Sequence, residues 1–307
     1  MKYRIKKEFF PFSKIAPPIR SPKLAGFLGS MLRAPRGIFR DKEVCVKREF
    51  IKSYDGKEVE VIVFTPIGIK EPAPCLVYYH GGGFFFGAAP YHYKIAKEYA
   101  MKTPCKLVFV NYRLAPKHPF PTPHEDCYAA LVWTFENAGR IGVDRTRIAV
   151  GGDSAGGALA AAVTIISRDR GTDMPVFQML IYPVTDRRMT SESSRLFTDA
   201  PMWNTKLSRM MWHGYLAGYN GPDIAYASPN EADSFSGLAE AYVEIAEFDS
   251  LRDEGLLYAD NLKKSGITVE INETEGTMHG YDIVGSAPTT KDSIARRIAY
   301  MKTKLYK

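Results

Sequence analysis

From about residue 44 onward, short apolar runs alternate with stretches of helical period. Segments 44–53 and 57–65 read as two strands around Tyr54-Asp55-Gly56, a hairpin turn signal. Further strands are predicted at 75–79, 106–111, 147–150, 176–182, 241–246 and 267–271. Helices are predicted between them at 91–101, 125–137, 155–167 and 254–263, with a last one at 291–301. Continuous apolar strands alternating with helices indicate an α/β protein, a mostly parallel sheet with helices on both faces. In such a sheet the working loops lie at the carboxyl ends of the strands.

Two regions break the alternation. Residues 188–222 carry Met202, Trp203, Met210, Met211, Trp212 and Tyr215 with no strand signal. Asn204 is placed to cap a helix whose Leu207, Met211, Gly214 and Tyr215 share a face. The segment reads as an insertion over the working edge of the sheet, where its aromatic and Met side chains can line an apolar pocket. The second region is the amino-terminal 43 residues. There Ser21-Pro22 is a helix start, followed by Leu24, Phe27, Leu28, Met31 and Leu32 at helical spacing. That face can meet a membrane surface, but the stripe is short and packing on the rest of the protein is the better expectation.

Composition narrows the function classes. The 307 residues are 45% apolar and 24% charged, ordinary for a packed chain. No apolar run approaches the roughly 18–20 residues of a membrane span, and Phe9-Phe10-Pro11-Phe12 is too short for a signal-peptide core, so a cytoplasmic location is expected. Cys45, Cys75, Cys105 and Cys127 have no metal-ligand spacing and read as reduced, mostly buried thiols. The net charge of +7 is local: residues 1–40 carry +9, leaving −2 for the rest. A nucleic-acid binder is thereby disfavoured, and the basic segment reads as a solvated flap or an arm for an acidic surface.

The chemistry concentrates at Gly152-Asp153-Ser154-Ala155-Gly156-Gly157, between a strand and an apolar helix. A sharp strand-to-helix turn exposes the Ser154 hydroxyl, and tiny neighbours let the chain turn and a carbonyl approach. The helix starting at Ala155 aims free N–H groups at the place where negative charge will develop. His80-Gly81-Gly82-Gly83 closes the 75–79 strand and offers more backbone donors. It lacks the lysine of a phosphate loop and the spacing of a dinucleotide loop, so an oxyanion hole is the best reading. A serine needs a base oriented by an acid, in chain order Ser, acid, His. Of six histidines only His213 and His279 follow Ser154. His213 falls inside the helical insertion, whereas His279 lies in the loop after the last strand and is taken as the base. Asp186 and Asp249 both sit just past a strand, and Asp249, one strand closer to the His279 loop, is preferred. Asp253 and Glu254 are assigned to the start of the next helix.

His80-Gly81-Gly82-Gly83, Asn111-Tyr112-Arg113-Leu114-Ala115-Pro116, His118-Pro119-Phe120-Pro121, the serine motif, Asp249-Ser250-Leu251-Arg252-Asp253-Glu254-Gly255 and Met278-His279-Gly280 occur in one order. Together, over roughly residues 75–285, the set resembles the hormone-sensitive lipase-like family of α/β-hydrolases. Lys117 stands where that family usually has an acid, and Ser250 where it often has proline. The resemblance implies an eight-stranded α/β-hydrolase sheet with a helical cap. It divides the chain into an amino-terminal part of the cap (1–43), a first part of the core (44–187), a cap insertion (188–222) and a second part of the core (223–307). It implies Ser154 as nucleophile, His279 as base and Asp249 as acid, with backbone N–H groups of Gly82, Gly83 and Ala155 as the oxyanion hole. It implies a serine carboxylesterase acting on a small-molecule acyl ester of short chain length, with no cofactor and no metal, no stable membrane insertion, and pairing into a homodimer as family members often do. Phe84 (followed by Phe85 and Phe86), Trp203, Met210 and Met211 are the expected substrate-binding side chains. An amidase or deacylase would use the same triad; a non-catalytic binding protein on the scaffold would not need His279.

Overall fold

The computed structural model describes residues 2–15, 21–29, 37 and 40–307. Eight strands form one sheet: β1 (Val44–Lys52), β2 (Glu58–Pro66), β3 (Ala73–Tyr79), β4 (Lys106–Asn111), β5 (Val143–Asp153), β6 (Phe177–Ile181), β7 (Glu240–Phe248) and β8 (Val269–Met278), in spatial order β1-β2-β4-β3-β5-β6-β7-β8. The β1–β2 and β2–β4 pairs are antiparallel, and the pairs from β4–β3 to β7–β8 are parallel.

Side chains alternate across the sheet with period two and feed a core on each face. On β3, Cys75, Val77 and Tyr79 join one core while Leu76 and Tyr78 join the other; on β4, Val108 and Val110 oppose Leu107 and Phe109. Helices α3 (Thr122–Glu136), α4 (Ala155–Asp169) and α8 (Arg252–Lys264) cover the first face, and α2 (Pro90–Lys102) and α9 (Pro288–Leu305) the second. Double coverage explains why β3 and β6 are buried along their whole length, with Gln178 the one polar side chain among them.

Two strands run beyond their predicted bounds through polar residues that interrupt the apolar pattern. β5 begins at Val143 and not Arg147, with Asp144 accepting from the Thr146 amide at 2.9 Å. β8 continues seven residues past Ile271 to Met278. Its buried Asn272 and Thr274 donate to Glu244 and to the Ile245 carbonyl, at 3.0 and 2.8 Å, so polar side chains fill inward positions that an apolar pattern would mark.

Between β6 and β7 lie α5 (Glu192–Leu196), α6 (Thr205–Tyr215) and α7 (Ile224–Ala227). Asn204 caps α6 as expected, accepting from the Lys206 and Leu207 amides at 3.1 and 3.2 Å. The amino-terminal helix α1 (Pro22–Gly29) packs against α6. Its contact face differs from the predicted stripe. Ala25 is buried, whereas Leu24 and Phe27 are exposed; the side chain of Leu28, and Met31 and Leu32, lie outside the described residues. Small residues decide the face, because they let the backbone approach closely: a Cβ on Gly29 would fall 2.0 Å from the Phe85 carbonyl oxygen. The first residues described in the basic segment are anchored and not simply solvated, with Lys6 N–H donating to the Gly276 carbonyl at 2.9 Å and Lys2 paired to Asp199 at 2.6 Å. No helix among the described residues is long and apolar enough to cross a membrane.

Candidate active site

Four loops leave the carboxyl ends of parallel strands: His80 follows β3, Ser154 follows β5, Asp249 follows β7 and His279 follows β8. Parallel register places those ends on one edge of the sheet, which is why Gly82 and His279, 197 positions apart in sequence, line one cavity.

Ser154 has φ 55° and ψ −118°, a conformation costing a non-glycine residue about 1–3 kcal/mol. The surroundings enforce it. Its amide donates to the Ile181 carbonyl at 2.8 Å and its own carbonyl accepts from Val184 at 3.2 Å. The turn is tight enough that a Cβ on Gly156 would sit 1.9 Å from the Tyr79 carbonyl oxygen. Ser154 Oγ lies 2.8 Å from His279 Nε2, and His279 Nδ1 lies 2.6 Å from Asp249 Oδ2. All three residues are buried. The second carboxylate oxygen of Asp249 accepts from the Leu251 amide at 3.0 Å, and Ser193 donates to the Ser250 carbonyl at 3.1 Å, which ties down the loop that has serine for proline.

Asp186 is turned to other work. It pairs with Arg188 at 2.7 Å. Glu254, buried in α8, accepts from the Thr185 and Asp186 amides at 2.6 and 3.2 Å, and burial pushes its carboxyl well above the usual range.

The glycine loop is held from beneath by a residue that the motif reading left unused. Asp153, the variable position before the serine, accepts from the Tyr78 hydroxyl at 2.7 Å and the Gly81 amide at 3.1 Å, and lies 3.2 Å from His92 Nε2. Burial alone would raise its carboxyl, but His92 and the Tyr78 donor outweigh that and hold it at about 2. His80 is pushed the other way, down to about 4, by burial and by neighbouring His92. Its ring stacks on Tyr112 with centroids 4.5 Å apart, and the Tyr112 hydroxyl donates to the His80 carbonyl at 2.7 Å. Gly82 and Gly83 take positive φ of 123° and 57°, and both face the cavity beside Ser154. Ala155 opens α4, where first-turn N–H groups have no intrahelical partner.

The cavity above Ser154 has a volume of about 240 Å³, and mostly apolar side chains surround it. Trp203 lines it as expected. Phe84, Met210 and Met211 do not. Phe84, at φ 66°, turns away and stacks on Tyr215 with ring centroids 3.8 Å apart. The amides of Phe85 and Phe86 both bond the Gly82 carbonyl, and this closed turn brings Phe86 to the cavity in its place. Met211 is fully buried among core side chains and Met210 packs against them, because α6 turns that face inward. Tyr91, Tyr182, Met202 and Ile283 also line it. Tyr182 sits one residue past β6, so its place at a strand's carboxyl end was a usable signal; Met202 is one of the insertion side chains expected to line an apolar pocket, and Ile283 had no signal.

An eight-stranded sheet of this order, with a strained serine after β5 and a histidine after β8, defines an α/β-hydrolase. A family model described as alpha/beta hydrolase fold matches residues 76–283, and the chain belongs to that family, the hormone-sensitive lipase-like hydrolases whose motifs it carries. It is similar to the carboxylesterase NlhH of Mycobacterium tuberculosis, 38% identical over 82% of this chain and 81% of that protein. Esterase LipI of the same species is 35% identical over 76% and 74%. A solved structure titled bacterial heroin esterase superposes with a TM-score of 0.82 at 35% identity, covering 92% of this chain and 89% of that one.

Proposed function

We propose that this chain is a serine carboxylesterase that hydrolyses short-chain acyl esters through an acyl-enzyme. The observation that carries the reading is the unbroken hydrogen-bonded line from Ser154 Oγ through His279 to Asp249. His279 donates from Nδ1 to Asp249, which leaves Nε2 to accept the Ser154 proton as the oxygen attacks the ester carbonyl. Backbone N–H groups of Gly82, Gly83 and Ala155 receive the oxyanion, each worth about 3–4 kcal/mol in the transition state. His279 then protonates the departing alcohol and activates the water that releases the acid. Asp249 holds the tautomer and offsets the imidazolium charge.

The short-chain preference rests on size. A cavity of about 240 Å³ lies below the roughly 300–1,000 Å³ usual for ligand pockets. The division into cap segments 1–43 and 188–222 around the core, residence in the cytoplasm and pairing into a homodimer complete the reading. Cell fractionation and light scattering test the last two. The central test is a nitrophenyl ester series from acetyl to palmitoyl, run on the wild type and on Ser154→Ala. Turnover is expected to peak at short chains and to vanish in the variant. A palmitoyl optimum overturns the chain-length claim, and turnover surviving in Ser154→Ala overturns the mechanism.

A further inference from the structure

Behind His279 lies a buried polar cluster for which the acyl-transfer steps have no use. Arg297 of α9 is 1% exposed. It pairs with Glu244 of β7 and, at 3.0 Å, with Asp282. Asp282 is three residues past His279, on the loop that carries the imidazole. Its second oxygen accepts from the Tyr182 hydroxyl at 2.6 Å. Tyr182 stands at the end of β6, with its ring centroid 4.7 Å from that of His279 and its side chain on the cavity wall. The other flank of the imidazole is Trp203, at 5.9 Å.

Tyr182 is not at rest in this position. Its φ is 36°, in the left-handed region, and Pro183 follows, which disfavours such a backbone further. The strain needs restraints, and there are two: the amide donates to the Glu244 carbonyl at 2.7 Å and the phenol to Asp282. Burial raises the Asp282 carboxyl against the opposing pull of Arg297, in keeping with a carboxylate that needs both donors.

We propose that Tyr182 is a positioning residue for His279. The Tyr182–Asp282 hydrogen bond, backed by Arg297, clamps the end of β6 to the His279 loop and keeps the imidazole in line between Ser154 and Asp249. This inference rests on His279 being the base.

The test compares Tyr182→Phe with Tyr242→Phe. Tyr242 donates to Glu244 at 3.0 Å in the same buried cluster, but it does not line the cavity. Initial rates on nitrophenyl acetate, normalised to titrated active serine, are read beside thermal midpoints. Tyr182→Phe should lower kcat about tenfold with KM within twofold, while Tyr242→Phe keeps kcat within twofold at a similar loss of midpoint. An unchanged kcat in Tyr182→Phe, an equal fall in both variants, or a rise in KM alone overturns the clamp. Should Tyr182→Phe not fold, Asp282→Asn is judged by the same criteria. Ser154→Ala is run in parallel: turnover surviving there defeats the reading of the triad, whereas turnover lost there beside an unaffected Tyr182→Phe defeats the clamp alone.

Discussion

The nucleophile half of the site and the base half are built on different principles. Ser154 and the glycine loop grow from adjacent strands β3 and β5, and their geometry is set chiefly by close backbone approach, as at Gly156 against the Tyr79 carbonyl, with the Asp153 carboxylate bracing the loop. Asp249 and His279 follow β7 and β8 and are set by side chains meeting over long sequence distances: His279 to Asp249, and Tyr182 to Asp282. A half made of backbone tolerates almost no change without loss of fold. A half made of side-chain contacts can lose function with its fold intact.

Asp249→Asn should break the base half most cleanly. Its kcat is expected to fall by roughly 10⁴ with little change in thermal midpoint, because the wrong tautomer faces Ser154. A fall below tenfold would mean that Asp249 does not orient the imidazole. Gly156→Ala strikes the other half. The added methyl has no room against a carbonyl, and destabilisation of at least ~3 kcal/mol is expected in urea titration. A soluble variant of wild-type stability would contradict the packing of the elbow.

Acid probes the buried imidazoles by another route. Burial and neighbouring His92 hold His80 down to about 4, and burial together with Arg170 holds His124, on α3 outside both halves, down to about 3. The unfolded chain protonates these imidazoles from about pH 6.5, so it binds more protons than the folded one. The contribution of these imidazoles is therefore full above pH 6.5 and is lost as the pH falls through 4, by ~3 kcal/mol for His80 alone. Asp153, held at about 2, adds its own loss only below its ordinary value of 3.8. Urea midpoints at pH 7 and pH 4.5 measure the first effect, and equal midpoints would refute it. The smallest change is expected from Trp203→Ala, which opens the cavity wall beside Gly83. Octanoyl should gain roughly tenfold on acetyl in kcat/KM. An unaltered chain-length profile would show that Trp203 does not bound the acyl group.

The two halves also differed in legibility. The strand–turn–helix of Ser154 and the helix behind it were readable from spacing, because a tight turn demands glycine locally. Asp249 could be preferred over Asp186 only on its nearness to the His279 loop and on the family motif around it; in the fold Asp186 belongs to Arg188. The carboxyl half of β8 was missed because Asn272 and Thr274 satisfy one another's neighbours and not an apolar core. The α1 face was misread because Ala25 and Gly29, not the large residues, make the contact. Phe84, Met210 and Met211 were expected at the cavity, yet a five-residue turn and the inward roll of α6 replaced them with Phe86 and Met202.

By itself the amino-acid sequence determined the alternation of strands and helices, the serine turn and the order in which nucleophile, acid and base appear. These follow from interactions within a few residues: periodic burial, backbone crowding and capping. Tertiary structure alone decided which large side chains besides Trp203 wall the cavity, which groups brace the glycine loop and which side chains meet behind the His279 loop. Those outcomes depend on where separate strands end in space, and on pairings of buried polar groups that leave no local pattern.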